Sequence, residues 1–388
     1  MARRKEQARA RAAAQYEDLR TSGDLRPTTK TGIAVTILAT LVHLTVLVLF
    51  LGSAWLTFGP HQLFAIRFFG VLGLGVAFIG RPRLFSRRPK DTKGWYERGD
   101  APRFFALLDR CTAELGVQTP ARVGLSDKFN ASTSRHGFPP KPYVIIGVPL
   151  WSVLSGPERV ALLGHELAHQ ANGDVSHGTW ASAAQRSLAE LLTLFNPRMS
   201  RQEQLLARRR ARMTRRSGRG NPGALADLLA PIFCFLVFGP VFVLMLAYRA
   251  GLRRLDLDCG QRAEYLADEL GARLGSSAGA TGVMDALVLA GTADLYLRKP
   301  GASSARLKEY LGSVPDHEKR RQAYLQTVEN VRVDSTHPPT ILRRALLSAR
   351  PQLPGKVHLD DAEWSLIDAE LFRRTTGARP NATLEQEA

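Results

Sequence analysis

From residue 33 to residue 58 the chain carries no charged side chain, a run of 26 residues. An α-helix needs roughly 20 residues to cross the hydrocarbon core of a bilayer, and in lipid only a helix or a closed barrel satisfies its own backbone. The run is therefore expected to be a transmembrane helix; it exceeds the apolar core of a cleaved signal peptide. After Gly59-Pro60-His61-Gln62, residues 63–80 are again apolar except for Arg67, whose side chain can snorkel to the interface. The two runs read as a hairpin over 33–80. Arg3, Arg4, Lys5, Arg9 and Arg11 precede it, Arg81, Arg83, Arg87, Arg88, Lys90 and Lys93 follow it, and the connection carries no lysine or arginine. By the positive-inside rule both ends are expected in the cytoplasm.

The remaining chain is long enough, with 45% apolar residues overall, to bury one soluble domain. Residues 1–32 are polar, show no apolar periodicity, and read as a basic cytosolic tail. Net charge is +18 with the arginines bunched, which favours an anionic partner: a lipid surface with anionic lipids, or nucleic acid. Cys111, Cys234 and Cys259 lack metal-ligand spacing and are odd in number, as in a reducing compartment where thiols are small buried apolar residues.

Residues 92–388 carry the chemistry. Helical spacing runs from Pro102 to Leu115, and strands are expected at 122–126 and 143–148, parted by a loop around Gly137-Phe138-Pro139-Pro140. Next comes Gly164-His165-Glu166-Leu167-Ala168-His169. Ser155-Gly156-Pro157-Glu158 reads as a capping box with proline in the first turn, and Asn172-Gly173 as a stop, so the motif lies mid-helix. Histidines four apart project from one helix face and can reach one metal ion, while the glutamate beside them can take a proton from a water at that metal. This is the pattern of zinc hydrolysis.

Residues 179–195 form a mixed helix, and 198–219 hold nine arginines. Residues 228–248 are hydrophobic but contain Pro231 and Gly239-Pro240 and are flanked by arginine at both ends. One simple crossing there would put the rest of the chain on the far side of the membrane from His165. Three arrangements stay open: an even number of crossings that includes 179–195, a re-entrant turn at Gly239-Pro240, or a segment lying on the protein and lipid surface.

A zinc hydrolase needs three protein ligands and one open position. A third histidine ten residues after His165 is absent, since Val175 stands there and His177 is out of phase. The next candidate is Glu264, which with Asp268 places two carboxylates on one helix face.

Three motifs in this order, His165-Glu166-Leu167-Ala168-His169 with Asn172-Gly173-Asp174, Glu264-Tyr265-Leu266-Ala267-Asp268, and Ser335-Thr336-His337-Pro338-Pro339, resemble the membrane-bound gluzincin peptidases that include the bacterial heat-shock protease HtpX and the eukaryotic CAAX prenyl protease. The resemblance spans roughly 129–344. It implies His165, His169 and Glu264 as ligands of one Zn2+ per chain, Glu166 as base, and Asp268 as the orienting partner of a ligand histidine. Phe129-Asn130-Ala131 is similar to the family's edge-strand motif, which pairs with an extended substrate through Asn130 and Ala131. His337 resembles the family's histidine before two prolines and is expected to donate to the oxyanion.

The expected fold is mainly α with a small β-sheet, a zincin-like catalytic domain on transmembrane helices. Residues 92–388 would be that domain, interrupted by the basic loop 198–219 and the membrane-associated segment 228–248. The expected activity is a membrane-anchored zinc endopeptidase acting on polypeptides. With only 228–248 clearly hydrophobic between the metal helix and the third ligand, a quality-control peptidase of the cell membrane, its site facing the cytoplasm, is the closer analogue than the prenyl protease. The competing readings are a non-catalytic membrane protein with a structural zinc site, and an anionic-lipid or nucleic-acid binding module on the arginine runs, of which nucleic acid is the less expected partner.

Overall fold

The computed structural model describes residues 2–25, 29–60, 63–83, 92, 94–136, 141–171, 174–194, 224–328 and 337–373. The loop expected at 137–140, the stop at Asn172-Gly173, the arginine run 198–219, Ser335-Thr336 and the last residues fall outside them. The chain forms two compact units, one of Met1–Thr28, Phe85–His177 and Leu257–Ala388, the other of Thr29–Leu84 and Gly178–Asp256.

The first unit is α+β, as expected. Its sheet has the strands β1 (Trp95–Tyr96), β2 (Arg122–Ser126), β3 (Ala131–His136) and β4 (Lys141–Gly147) in the order β1-β2-β4-β3. β2 and β4 pair in parallel, with Val123 opposite Val144 and Leu125 opposite Ile146, while β3 is antiparallel to β4 and lies at the sheet edge. Val123, Leu125, Val144 and Ile146 share one core with Phe104, Phe105 and Leu108 of α4 (Pro102–Leu115) and Val160, Leu163 and Leu167 of α6 (Gly156–Ala171). The short α5 (Val148–Val153) adds Trp151.

Helix α4 starts with Pro102 and ends at Gly116 in the left-handed region, φ 67°, where glycine is the least strained residue. Its N-terminus has no local side-chain cap. Glu370 supplies one from far along the chain: its buried carboxylate accepts from the backbone N–H of Arg103 at 2.9 Å and of Phe104 at 3.1 Å. Glu370 lies on the last described helix, Asp361–Phe372, whose Trp364, Ile367 and Leu371 belong to the same core. Asp368 of that helix accepts from Trp151 Nε1 at 2.9 Å and pairs with Arg159 at 3.0 Å. The stretch after residue 350, in which the sequence shows no motif, is thus built into the core. Ending the chain at residue 350 strips three large apolar side chains, each worth about 1.5–3 kcal/mol, and uncaps α4. That sum rivals the whole stability of a domain, so the truncated protein is expected to lose cooperative denaturant unfolding while the full chain keeps it.

The N-terminal residues also pack. They form a helix, α1 (Ala2–Ser22), with Leu19 and Leu25 buried against Tyr265 and Leu346. Asp18 pairs with Arg262, and Gln15 Nε2 donates to the Asp258 carbonyl at 3.2 Å. Two leucines among so many arginines give no periodic signal, which is why the sequence reads there as a tail.

The second unit is helical: α2 (Thr29–Phe58), α3 (Phe64–Ile79), α7 (Asp174–Leu194) from residue 178, and the part of α8 (Ala224–Gly275) up to residue 256. α2 and α3 pack as a hairpin in which Gly70 and Gly73 admit Thr57 and Ser53 where a Cβ would collide. His43 stacks edge-on against Trp180 at 4.3 Å, Trp180 Nε1 donates to Thr40 Oγ1 at 3.0 Å, and Tyr248 donates to the Leu38 carbonyl at 2.7 Å. Among the described residues one unbroken helix, Lys30–Phe58, is long and apolar enough to cross a membrane; α3, with 16 residues, is shorter. α8 runs unbroken for 52 residues through Pro231 and Gly239-Pro240, leaving no re-entrant turn there.

Candidate metal centre

The site grows from the crossing of two helices in the first unit. Helix α6 opens where Glu158 reaches back to accept from the Ser155 backbone N–H at 2.6 Å, one half of the expected capping box. From Val160 to Ala168 every residue is buried, so His165 and Glu166 are carried into the interior by an otherwise apolar helix. The partner is α8, and glycines set its approach. A Cβ on Gly164 would stand 2.9 Å from Gly271 Cα, one on Gly271 2.6 Å from the Ala161 carbonyl oxygen, and one on Gly275 would meet the backbone of Pro157 and Ala161. The two backbones therefore touch, which brings Glu264, two turns before Gly271, within reach of the histidines. Gly271→Ala forces backbone from backbone and is expected to cost about 1–3 kcal/mol. Because both helices carry donors, metal affinity should fall with it; isothermal titration alongside denaturant unfolding checks both.

One donor atom each from His165, His169 and Glu264 lies within 4.8 Å of the others. His165 Nε2 is 3.6 Å from Glu264 Oε2 and His169 Nε2 is 3.5 Å from Glu264 Oε1. Bonds of about 2.0–2.2 Å to a tetrahedral ion place donors about 3.4 Å apart, so the spacing fits one zinc-sized ion. The donor types fit as well, two imidazoles and a carboxylate. His165 Nδ1 donates to Asp268 Oδ1 at 2.9 Å, which leaves Nε2 as the lone-pair nitrogen turned toward the cluster.

A buried cation binds this arrangement together. Arg343, on the helix Thr340–Ala349, grips Asp268 with Nε to Oδ2 at 2.7 Å and Nη2 to Oδ1 at 2.5 Å, and its Nη1 lies 3.5 Å from Glu264 Oε2. Burial, the largest single influence, raises the carboxyl pKa of Glu264 and Asp268; the Arg343 charge, hydrogen bonds and nearby histidines together outweigh it and hold both below the usual carboxylate range. The same pairing holds the guanidinium well above its ordinary value against the opposing effect of burial.

Glu166 is buried beside the cluster and accepts from Thr133 Oγ1 on β3 at 3.2 Å. Asn130 immediately precedes β3 and its carbonyl accepts from Gly147 N–H at 2.8 Å; Ala131 opens the strand. The Phe129-Asn130-Ala131 stretch therefore leads into an edge strand. His337 stands with Nδ1 2.7 Å from Glu264 Oε2 and its side chain largely exposed. Every site residue expected from the sequence thus lies at this centre or on its bordering strand. Arg343 and Thr133 were not among them. Arg343 had a signal: with Leu346 and Leu347 it occupies the apolar face of its helix, where an arginine needs a buried partner.

The family model of peptidase family M48 matches residues 101–350, more than half of the chain. The chain belongs to peptidase family M48. This is the family of HtpX and the CAAX prenyl protease, a membrane-bound zinc metallopeptidase family, so the M48 chain is a metallopeptidase that acts on polypeptides. Neither curated proteins nor solved structures gave a match. The M48 match begins just before α4 and ends just after the Arg343 helix, enclosing both donor-bearing helices and the edge strand. Cys111 plays no part in the centre: burial pushes its thiol up to about 12, as expected of a small core residue.

Proposed function

We propose that this M48 chain is a membrane-anchored zinc endopeptidase that hydrolyses peptide bonds with a water activated by Glu166, in membrane-protein quality control or processing. The observation that carries it is the convergence of His165, His169 and Glu264 with a buried, separately held Glu166 beside an open strand edge. His165, His169 and Glu264 would hold one zinc per chain, which when bound supplies a Lewis acid that polarises the scissile carbonyl and acidifies a water. Glu166 takes the proton of that water and hands it to the leaving amine. Thr133 fixes the carboxylate for this transfer, and Asp268 holds His165 in the tautomer that binds metal. An extended substrate adds to the free edge of β3 beside Asn130 and Ala131, and His337 donates to the developing oxyanion.

Anchoring is supported by the exposed apolar surface of the second unit. Val48, Phe58, Phe64, Phe69, Val243 and Leu244 are exposed, while His43 and Ser53 are buried. Extensive exposed apolar surface with polar side chains turned inward suits lipid and not water. The chain leaves the first unit after residue 28 and again after residue 177, and returns both times. Paired excursions favour an even number of crossings, with the α2–α3 hairpin as one pair and α7 with the start of α8 as the other. The catalytic unit would then face the cytoplasm, in keeping with the basic residues around 81–93 and 198–219, which also suit anionic lipid headgroups.

The test pairs metal content with cleavage of an unfolded membrane-protein substrate. Wild type should hold about one zinc per chain and cleave, a chelator should abolish cleavage until zinc returns, and Glu264→Ala should retain little zinc. Zinc retained in full by Glu264→Ala would remove it as a ligand, and bound zinc without any cleavage would turn the site into a structural one.

A further inference from the structure

The face that carries Glu166 and Thr133 continues past them. Side chains two apart on a strand share a face, so Arg135 lies on the Thr133 side of β3; residues four apart on a helix do likewise, so Gln170 follows Glu166 on α6. Ala131 shares a core cluster with Ala161 and Leu162, and Thr133 meets Glu166, so strand and helix advance together. Two strand residues cover about 6.6 Å and four helix residues about 6 Å, so Arg135 and Gln170 each stand one step beyond the Thr133–Glu166 contact on its own element. Both hold buried polar atoms that have no hydrogen-bond partner: Nε of Arg135, and Nε2 and Oε1 of Gln170. Among the described residues Arg135 is in no ion pair, whereas Arg122, Arg159 and Arg343 of the same unit each are. Buried polar groups left unmatched in a folded chain are uncommon, and these two residues hold three of them.

We propose that Arg135 and Gln170 form a carboxylate-binding subsite that sets which peptides the enzyme cleaves. Resting on the peptidase reading above, it takes a substrate carboxylate about two positions from the scissile bond. The guanidinium N–H of Arg135 and the amide N–H of Gln170 donate to the carboxylate oxygens, and Gln170 Oε1 accepts from the substrate backbone. The carboxylate can belong to an aspartate or glutamate side chain or to the peptide's own C-terminus, and these give different cleavage patterns.

The experiment uses the full, zinc-loaded chain with quenched fluorescent peptides that place Glu, Gln or Lys two positions to either side of one cleavable bond, each with a free or an amidated C-terminus. Wild type is expected to prefer Glu to Gln at one of those positions by about tenfold or more in kcat/KM, mostly through KM. Arg135→Gln should cleave the Glu and Gln peptides alike, and Arg135→Glu should turn the preference toward Lys. A preference that follows the free C-terminus instead assigns the subsite to the terminal carboxylate. Equal cleavage of all peptides by wild type, or a Glu preference that survives in Arg135→Gln, overturns the subsite and leaves the peptidase reading standing. Equilibrium binding of the same peptides by fluorescence anisotropy decides the matter apart from turnover: equal binding of the Glu and Gln peptides overturns it even where no peptide is cleaved, an outcome that strikes the peptidase reading separately.

Discussion

Glu166→Gln is expected to hold as much zinc as wild type and to lose between about 10²- and 10⁴-fold in turnover, the span that a positioned general base contributes. The two halves of this result have separate structural causes. Glu166 lies outside the group of three donors that converge on one point, so the donors keep their spacing when its charge is removed. Glutamine has the same length and retains a carbonyl oxygen that can accept from Thr133 Oγ1, so the side chain keeps its place in a buried position. What it cannot do is take a proton. A loss of that size is about 3–5 kcal/mol in the barrier, far more than a shift in substrate binding would give. Single-turnover cleavage with metal analysis of the same sample reads both halves. Near-normal turnover would remove Glu166 as the base, and loss of zinc would mean that it serves the metal directly.

The parts that sequence reasoning reached are those whose signals are local. Pro102 and Gly116 bracket α4, and β2 spans 122–126 as its apolar alternation implies. The motif helix was legible because Glu158 and the buried run from Val160 act within one helix. Illegible parts depend on partners distant in the chain. β3 reads Ala-Ser-Thr-Ser-Arg-His, a polar string that becomes a strand because β4 pairs with it and its outer edge stays open. Glu370 caps α4 across 266 residues or more, and Leu19 is buried only because Tyr265 and Leu346 receive it. α8 passes through Gly239-Pro240 because a proline removes one hydrogen bond from a helix that has many others to hold it. Of the centre, the donors were legible, while Arg343 signals from its apolar helix face only that it needs a buried partner, and its role shows once Asp268 and Glu264 are brought to it.

Among single substitutions at the centre, Arg343→Met should therefore have the largest effect on stability, and one with an unusual pH signature. The guanidinium is buried and holds two buried carboxylates. Removing it strands Asp268 and Glu264 as uncompensated charges, a change that costs about 3–5 kcal/mol when a buried pair is broken on one side. Asp268 would also lose its bidentate grip and with it the alignment of His165, which should lower zinc affinity about 10- to 100-fold. Lysine cannot replace the two parallel bonds, so Arg343→Lys should recover only part of either loss. The pH dependence comes from the sign of the shifts. In the metal-free wild type both carboxyls are held below their unfolded values near about 4. Their contribution is complete above that pH and is lost as the pH falls through the folded pKa values. Without Arg343, burial becomes the dominant influence and pushes the same carboxyls above their unfolded values. The variant should then gain stability as the pH is lowered from about 7 to 5, where wild type stays flat, because protonation relieves the stranded charge. Denaturant unfolding of both chelated proteins across that range reads the difference, and adding Asp268→Asn to the variant should recover much of the lost stability. Parallel pH profiles for the two proteins would show that Arg343 does not carry the charge balance of the centre.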